Sequence, residues 1–362
     1  MLKILDRYII KKFLGTFLFV VLIFSLIAVI IDFSQNVEEF IDEKLPAGQV
    51  IKEYYLNFVL FINGLLWPLF AMISVIFFTS RMAFNSEIIS IFNAGVSFRR
   101  LMWPYLLGAG LIGGVHLLLN HFIIPVSNKT RLDFFHAYIM KESDKGQTRD
   151  VHMFIEPGVK VYVRDYFKRD SSARNFRVET LKNNRLVEFI EASEARWQGA
   201  PNKWQLSNWE IHSFEGRKES IVVGGREKLD TTFNLTPNDF VRYDDTREMI
   251  PSHKLSEFIE EEKQRGIGNT KLYEIELYRR TADPFTLLIV TMIGMSVASR
   301  KVRGGMGFHL ALGIALGAIF VFVAKFSITF ATNEALSAMA GVWIPNVVFA
   351  AIAMILIFKA QK

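Results

Sequence analysis

The chain has 362 residues, of which 51% are hydrophobic and 22% charged, so long stretches are too apolar for a water-soluble surface. It contains no cysteine, which excludes a disulfide-stapled domain: any part outside a membrane must be held by its own core. The net charge of +6 comes from Lys and Arg spread over several short segments, a distribution that speaks against nucleic acid as a partner.

The first element is Phe13 to Ile31, an uncharged run just long enough at 1.5 Å per residue to cross a hydrocarbon core of about 30 Å. It exceeds the apolar core of a signal peptide and no small-x-small site follows, so it reads as a retained anchor. A second span is expected over Leu56 to Thr79.

Between the second and third spans lies Arg81-Met-Ala-Phe-Asn-Ser-Glu-Ile-Ile-Ser-Ile-Phe-Asn-Ala-Gly95. Asn85 or Ser86 can cap a short helix, Glu87 favours its positive end, and Ile88, Ile91 and Phe92 make one apolar face. Such a helix lies on lipid or docks into a groove of a partner, and periodicity does not choose between the two.

The third span, Leu101 to Val126, contains Gly108-Ala-Gly110-Leu-Ile-Gly113, a literal match to the dinucleotide-binding glycine pattern without the preceding strand that pattern requires. Gly110 and Gly114, with Gly313 and Gly317 in the fifth span, instead suit close helix packing within or between subunits. His116 and His121 are five residues apart, a spacing that does not place two metal ligands on one helix face.

From Arg131 to Ile267 the apolar residues alternate with polar ones, the period of strands with one buried face. Candidate strands are Val151 to Ile155, Val159 to Arg164, Phe176 to Leu181, Leu186 to Trp197, Trp204 to Ser207, Trp209 to Phe214, Ser220 to Val223 and Lys228 to Phe233. Seven or eight short strands at this spacing predict an antiparallel sandwich or jelly roll. The phase of alternation slips at Asn208, where a bulge or bend is expected. Ser252 to Arg265 follows as an amphipathic helix with Leu255, Phe258 and Ile259 on one side and Glu257, Glu260, Glu261 and Glu262 as a solvated charge run.

Three more spans close the chain, Ala282 to Ser299, Phe308 to Phe330 and Val342 to Phe358. Asp283-Pro284 reads as a cap and first-turn proline opening the fourth. Lys325 is the one cation well inside a span; it either snorkels to the interface or meets a lipid phosphate in a cavity. The expected architecture is an α-helical polytopic membrane protein of six transmembrane helices, three plus three, with an inserted all-β jellyroll-like domain. Its segments are 1–130 (with the cytoplasmic loop helix at 81–95), 131–270 and 271–362.

Cations gather before the first span (Lys3, Arg7, Lys11, Lys12), between the second and third (Arg81, Arg99, Arg100), after the fourth (Arg300, Lys301, Arg303) and at the end (Lys359, Lys362). All fall on one side, which the positive-inside rule makes cytoplasmic, so the β insertion is expected outside. The chain has no phosphate-binding loop, no zinc-protease motif and no nucleophile elbow, and therefore neither an ATP site nor a recognisable catalytic constellation of its own.

The segment Ser86-Glu-Ile-Ile-Ser-Ile-Phe-Asn-Ala-Gly95 resembles the coupling helix of the LptF/LptG permease family, membrane subunits of the lipopolysaccharide-transport ABC exporter. Leu5-Asp-Arg-Tyr-Ile9, Glu276-Leu-Tyr-Arg-Arg280 and the three-plus-three topology are similar too. The resemblance implies lipopolysaccharide as cargo and the bacterial inner membrane as location. It also implies a periplasmic β-jellyroll, a cytoplasmic LptB-like ATPase dimer that binds the ATP, a paralogous LptF or LptG subunit, and LptC/LptA-like jellyroll proteins as a bridge.

By resemblance, Arg81, Ser86, Glu87, Ile88, Ile91, Phe92, Ala94 and Gly95 form the coupling segment, with Glu87 matching the glutamate that contacts the ATPase. The first and fifth spans match the helices of the lateral gate. The family's basic residues at the outer end of the first span are replaced by acidic ones from Asp32 to Glu43, so no phosphate-binding role carries over there. Leu5-Asp-Arg-Tyr-Ile9 and Ile344-Pro345 lean towards LptG. A scaffold that passes an ATPase's motion to a periplasmic partner is a second reading, and an intramembrane enzyme a third that lacks paired acids or an activated nucleophile.

Overall fold

A computed structural model describes residues 3–140, 148–183, 185–216, 218–240, 246–264, 270–300, 305–333 and 335–360. Lys301, Arg303 and Lys362 of the charge argument lie outside the described residues. The chain divides into two compact units, one of residues 1–139, 248–252 and 271–362 and the other of 140–247 and 253–270.

The first unit is helical: α1 (Ile4–Asp42), α2 (Ala47–Phe84), α3 (Glu87–Asn93) and α4 (Phe98–Ile139) precede the β unit. After α5 (Ser252–Gln264) come α6 (Lys271–Ala298), α7 (Gly305–Thr332) and α8 (Ala338–Ala360). Six of them, α1, α2, α4, α6, α7 and α8, are long and apolar enough to cross a membrane. Five contain the whole expected apolar run and overshoot it at both ends, while α6 overshoots only at its start and stops at Ala298, one residue short of the expected Ser299. α1 has 39 residues, about 58 Å of helix, so Asp32, Glu38, Glu39 and Asp42 ride on a helical extension and not in a loop. α4 likewise continues past residue 130 to Ile139.

Asp283-Pro284 does not open the fourth span, because Pro284 lies inside α6. The helix starts eleven residues earlier than expected, at Lys271, since its polar first turns satisfy themselves: Glu276 accepts from Arg279 at 2.7 Å and from Arg280 at 2.9 Å. In α4 a wide turn at Leu119–Ile123 comes just before Pro125, where the missing N–H and the ring prevent a regular ladder.

The main core joins α1, α2, α4 and α6 through Phe13, Phe17, Phe78, Tyr105, Leu287 and Met295. Phe78 is its hub, stacked on Phe13 at 5.7 Å and on Tyr105 at 5.2 Å. The glycines sort unequally. Gly313 and Gly317 of α7 face Ile76 and Met72 of α2, where a Cβ would collide. Gly110 and Gly114 meet no atom within 4 Å, so they pack nothing within the chain; the close approaches in α4 belong to Gly108 against Phe13 and Gly113 against the Pro284 carbonyl.

The second unit is a seven-stranded antiparallel sheet of β1 (Arg149–Glu156), β2 (Val159–Phe167), β3 (Ser172–Lys182), β4 (Arg185–Gly199), β5 (Lys203–Glu215), β6 (Lys218–Val223) and β7 (Leu229–Thr232). β1 to β6 follow one another as a meander and β7 pairs with β5. The two segments expected on either side of Asn208 are one strand, and the register of β5 against β4 runs through that point unshifted.

The slip at Asn208 is nevertheless real, and it runs across four neighbouring strands. Asn208, Ser193 and Asn175 lie side by side on β5, β4 and β3, with Asn208 and Asn175 in the left-handed region at φ 47 and 50. The buried face changes parity there in four neighbouring strands, β2 to β5: Leu206 to Trp209, Ala192 to Ala195, Ala173 to Phe176 and Val163 to Tyr166. A row of kinks thus bends one sheet around its own core, which a slip in one strand alone would break. Trp204, fully buried, anchors that core by donating from Nε1 to the Leu235 carbonyl at 2.9 Å. In α5, Leu255 and Ile259 are buried as expected, but so is Glu262, which therefore does not belong to the solvated charge run.

Candidate coupling site and membrane cavity

The short α3 begins and ends on left-handed residues. Ser86 stands at its N-cap with φ 62, outside the extended backbone usual for a capping residue, and its side chain makes no capping hydrogen bond, so the capping expected of it is absent. At the other end Gly95 takes φ 82, its N–H donating to Phe92 at 2.9 Å and the Val96 N–H to Ile91 at 3.4 Å. This paired closure needs a left-handed residue after the helix, which glycine supplies without a Cβ clash.

The apolar face of α3 turns towards the bundle. Ile88 is fully buried in the main core, and Ile91 and Phe92 pack against it. The exposed side is Ile89, Ser90, Asn93 and Ala94, of which only Ala94 was singled out in the sequence.

Two ties bind the α3 loop to the start of α1. The Tyr8 hydroxyl donates to Glu87 Oε2 at 2.9 Å, and Lys12 Nζ sits 3.3 Å from the same oxygen and 4.4 Å above the Tyr8 ring. Burial pushes the Glu87 carboxyl up, but the Tyr8 and Lys12 donors outweigh it and hold it below the usual glutamate value. On the far side of α3, Arg100 grips the buried Asp6 with both nitrogens, at 2.8 and 2.7 Å. Asp6 also accepts from the Lys3 backbone at 2.9 Å, which closes the first turn of α1.

A cavity of about 160 Å³ opens between α2, α6, α7 and α8. Lys325, Arg279, Asp283 and Asn346 give it polar groups, while Leu65, Met72 and Phe320 are among its apolar walls. Lys325 is exposed and makes no side-chain hydrogen bond or ion pair among the described residues. Arg279, in contrast, is committed to Glu276. Deeper in the bundle, His116 Nε2 lies 2.9 Å from the Gly64 carbonyl with its ring 4.9 Å from that of Trp67, and His121 meets Thr281. Both histidines are engaged in helix contacts, and among the described residues no group of His, Asp and Glu could hold a metal ion.

A family model described as lipopolysaccharide export system permease LptF/LptG matches residues 7–359. The chain belongs to the LptF/LptG family. No curated protein matches it. As an LptF/LptG permease it is the membrane part of an export system, a transporter component that is not itself catalytic, and its six apolar helices make it a multi-pass protein of the bacterial inner membrane.

Within this LptF/LptG chain the sequence reading missed Tyr8, Lys12, Asp6 and Arg100 as part of the site. Tyr8 and Lys12 share a helix face at a spacing of four, a visible signal, but their partner lies 75 or more residues away.

Proposed function

We propose that the chain is one half of a heteromeric exporter that takes lipopolysaccharide from the inner membrane and hands it to a periplasmic β bridge, driven by a separate LptB-like ATPase dimer that binds the ATP. The observation that carries this reading is α3: its apolar face is built into the bundle, its other side is exposed, and it is tied to α1 by Glu87 at its start and, beyond its end, by Arg100 in the first turn of α4. A push on the free face then reaches α1 through Glu87 and Arg100 without first melting a loop. The lean towards LptG over LptF stays part of the proposal.

The 160 Å³ cavity is smaller than pockets that enclose even a drug-sized ligand, about 300–1,000 Å³. A multi-acyl lipid therefore needs a compartment completed by a second permease subunit. α1 and α7 are placed to line it, because only 11% and 17% of their most apolar windows are buried in the chain, against 67% for α6. In this reading Lys325 contacts the lipid headgroup region or snorkels beside it, and the β unit receives acyl chains and continues as strands into LptC/LptA-like proteins.

The test is co-purification and export with Glu87→Ala. Loss of ATPase association or coupling in a normally inserted protein supports the reading; undiminished association with normal export refutes the role of Glu87. Association without any capture of labelled lipopolysaccharide supports a scaffold instead.

A further inference from the structure

A second, larger cavity lies between the start of α1 and the end of α2, about 630 Å³ and open. Its polar lining is Tyr8, Lys11, Lys12, Thr16, Arg81 and Asn85, three cations and three neutral donors with no carboxylate among them. Lys12 is held 3.3 Å from Glu87, which borders the group. Lys11 and Arg81 make no ion pair with any described carboxylate, and both are exposed to the cavity. Beyond the cations the wall turns apolar, with Phe77 and Phe78 on α2. Gly15 opposite leaves open space where a side chain would stand.

We propose that this cavity binds the phosphate headgroup of an anionic membrane lipid, with Lys11 and Arg81 as the principal ligands and the Phe77 and Gly15 wall receiving the start of an acyl chain. The volume falls in the range of formed ligand pockets. Basic pockets between membrane helices suit such headgroups, and a guanidinium offers phosphate two parallel donors. An unpaired Lys and Arg facing one cavity repel each other, and an anion between them removes that repulsion. The shared chemistry is the phosphate, which a lipid or a free phosphate ion could supply; the apolar wall favours the lipid.

The experiment is native mass spectrometry of the full chain titrated with phosphatidylglycerol, phosphatidylcholine or inorganic phosphate. The wild type retains phosphatidylglycerol over phosphatidylcholine. Lys11→Ala/Arg81→Ala lowers that retention about tenfold or more, while Arg99→Ala/Lys359→Ala, which removes the same charge elsewhere, leaves it unchanged. Lys11→Arg/Arg81→Lys, checked for wild-type helical content, keeps the binding and separates ligand loss from misfolding. Unchanged retention in Lys11→Ala/Arg81→Ala, or equal retention of both lipids by the wild type, overturns the proposal. Displacement of phosphatidylglycerol by millimolar inorganic phosphate reassigns the site to the free ion and overturns the lipid assignment.

Discussion

Glu87 shows how much one side chain can be asked to do. Its carboxylate belongs to a proposed contact with a motor below the membrane, yet within the chain it is already held by Tyr8 and Lys12. Because its proton affinity is depressed in the fold, the tie contributes stability at neutral pH, keeps it down to the ordinary glutamate value of 4.5, and loses it as pH falls through the lower folded value. The difference in thermal stability between wild type and Glu87→Gln is therefore expected at pH 7 and should vanish in acid; a difference that grows in acid would contradict the pairing. Gly95 is the other decisive residue. Gly95→Ala puts a Cβ on a φ of 82 and should lower stability by about 1–2 kcal/mol, read as an earlier melting transition in detergent, whereas Ser86→Gly relieves φ 62 and should be neutral or stabilising. Glu87 was legible in the sequence because a charge before an apolar run is a local signal, whereas Gly95 entered only through the family resemblance. Tyr8 was not legible, because a hydroxyl on a membrane helix announces no partner.

The element scale is where expectation and structure part most clearly. The periodicity of α3 located its apolar face correctly and left open what covers it; the bundle itself does, through Ile88. Ile88→Ala should thus destabilise the fold, by about 2–5 kcal/mol. Ile89→Asp, on the exposed side, should leave stability within about 0.5 kcal/mol and abolish ATPase co-purification. Equal association of the ATPase with Ile89→Asp would show that the free side of α3 is not the docking face. Helix ends were misjudged for a related reason. The overshoot of α1 and α6 is made of polar residues that hydropathy cannot count as helix, and they remain helical because Asp6, Glu276 and Arg280 find partners. In the sheet, one slip of alternation at Asn208 was visible, but four strands slipping on the same row is a property of registers, which strand patterns do not contain.

At the scale of the molecule, the uneven burial of the six spans predicts where a second permease subunit sits. The chain has no cysteine, so single cysteines at Leu22 on α1 or Phe322 on α7, both strongly exposed, report contacts without background. Crosslinks from these positions to a co-purified paralogous subunit are expected, and none from Leu287 on the buried face of α6. Crosslinking confined to α8 would move the subunit boundary and with it the proposed lipid compartment.

The sequence by itself determined the number of spans, their grouping around a β insertion, and the loop helix whose residues identify the family. It could do so because apolar length, alternation and turn residues act over a few neighbours in the chain. Only the tertiary structure decided which face of α3 is free, that Tyr8 and Lys12 hold Glu87, that Pro284 is internal, and that Lys11 and Arg81 share a cavity. Those facts depend on pairs of residues far apart in sequence, whose meeting is set by how helices pack and not by any local preference.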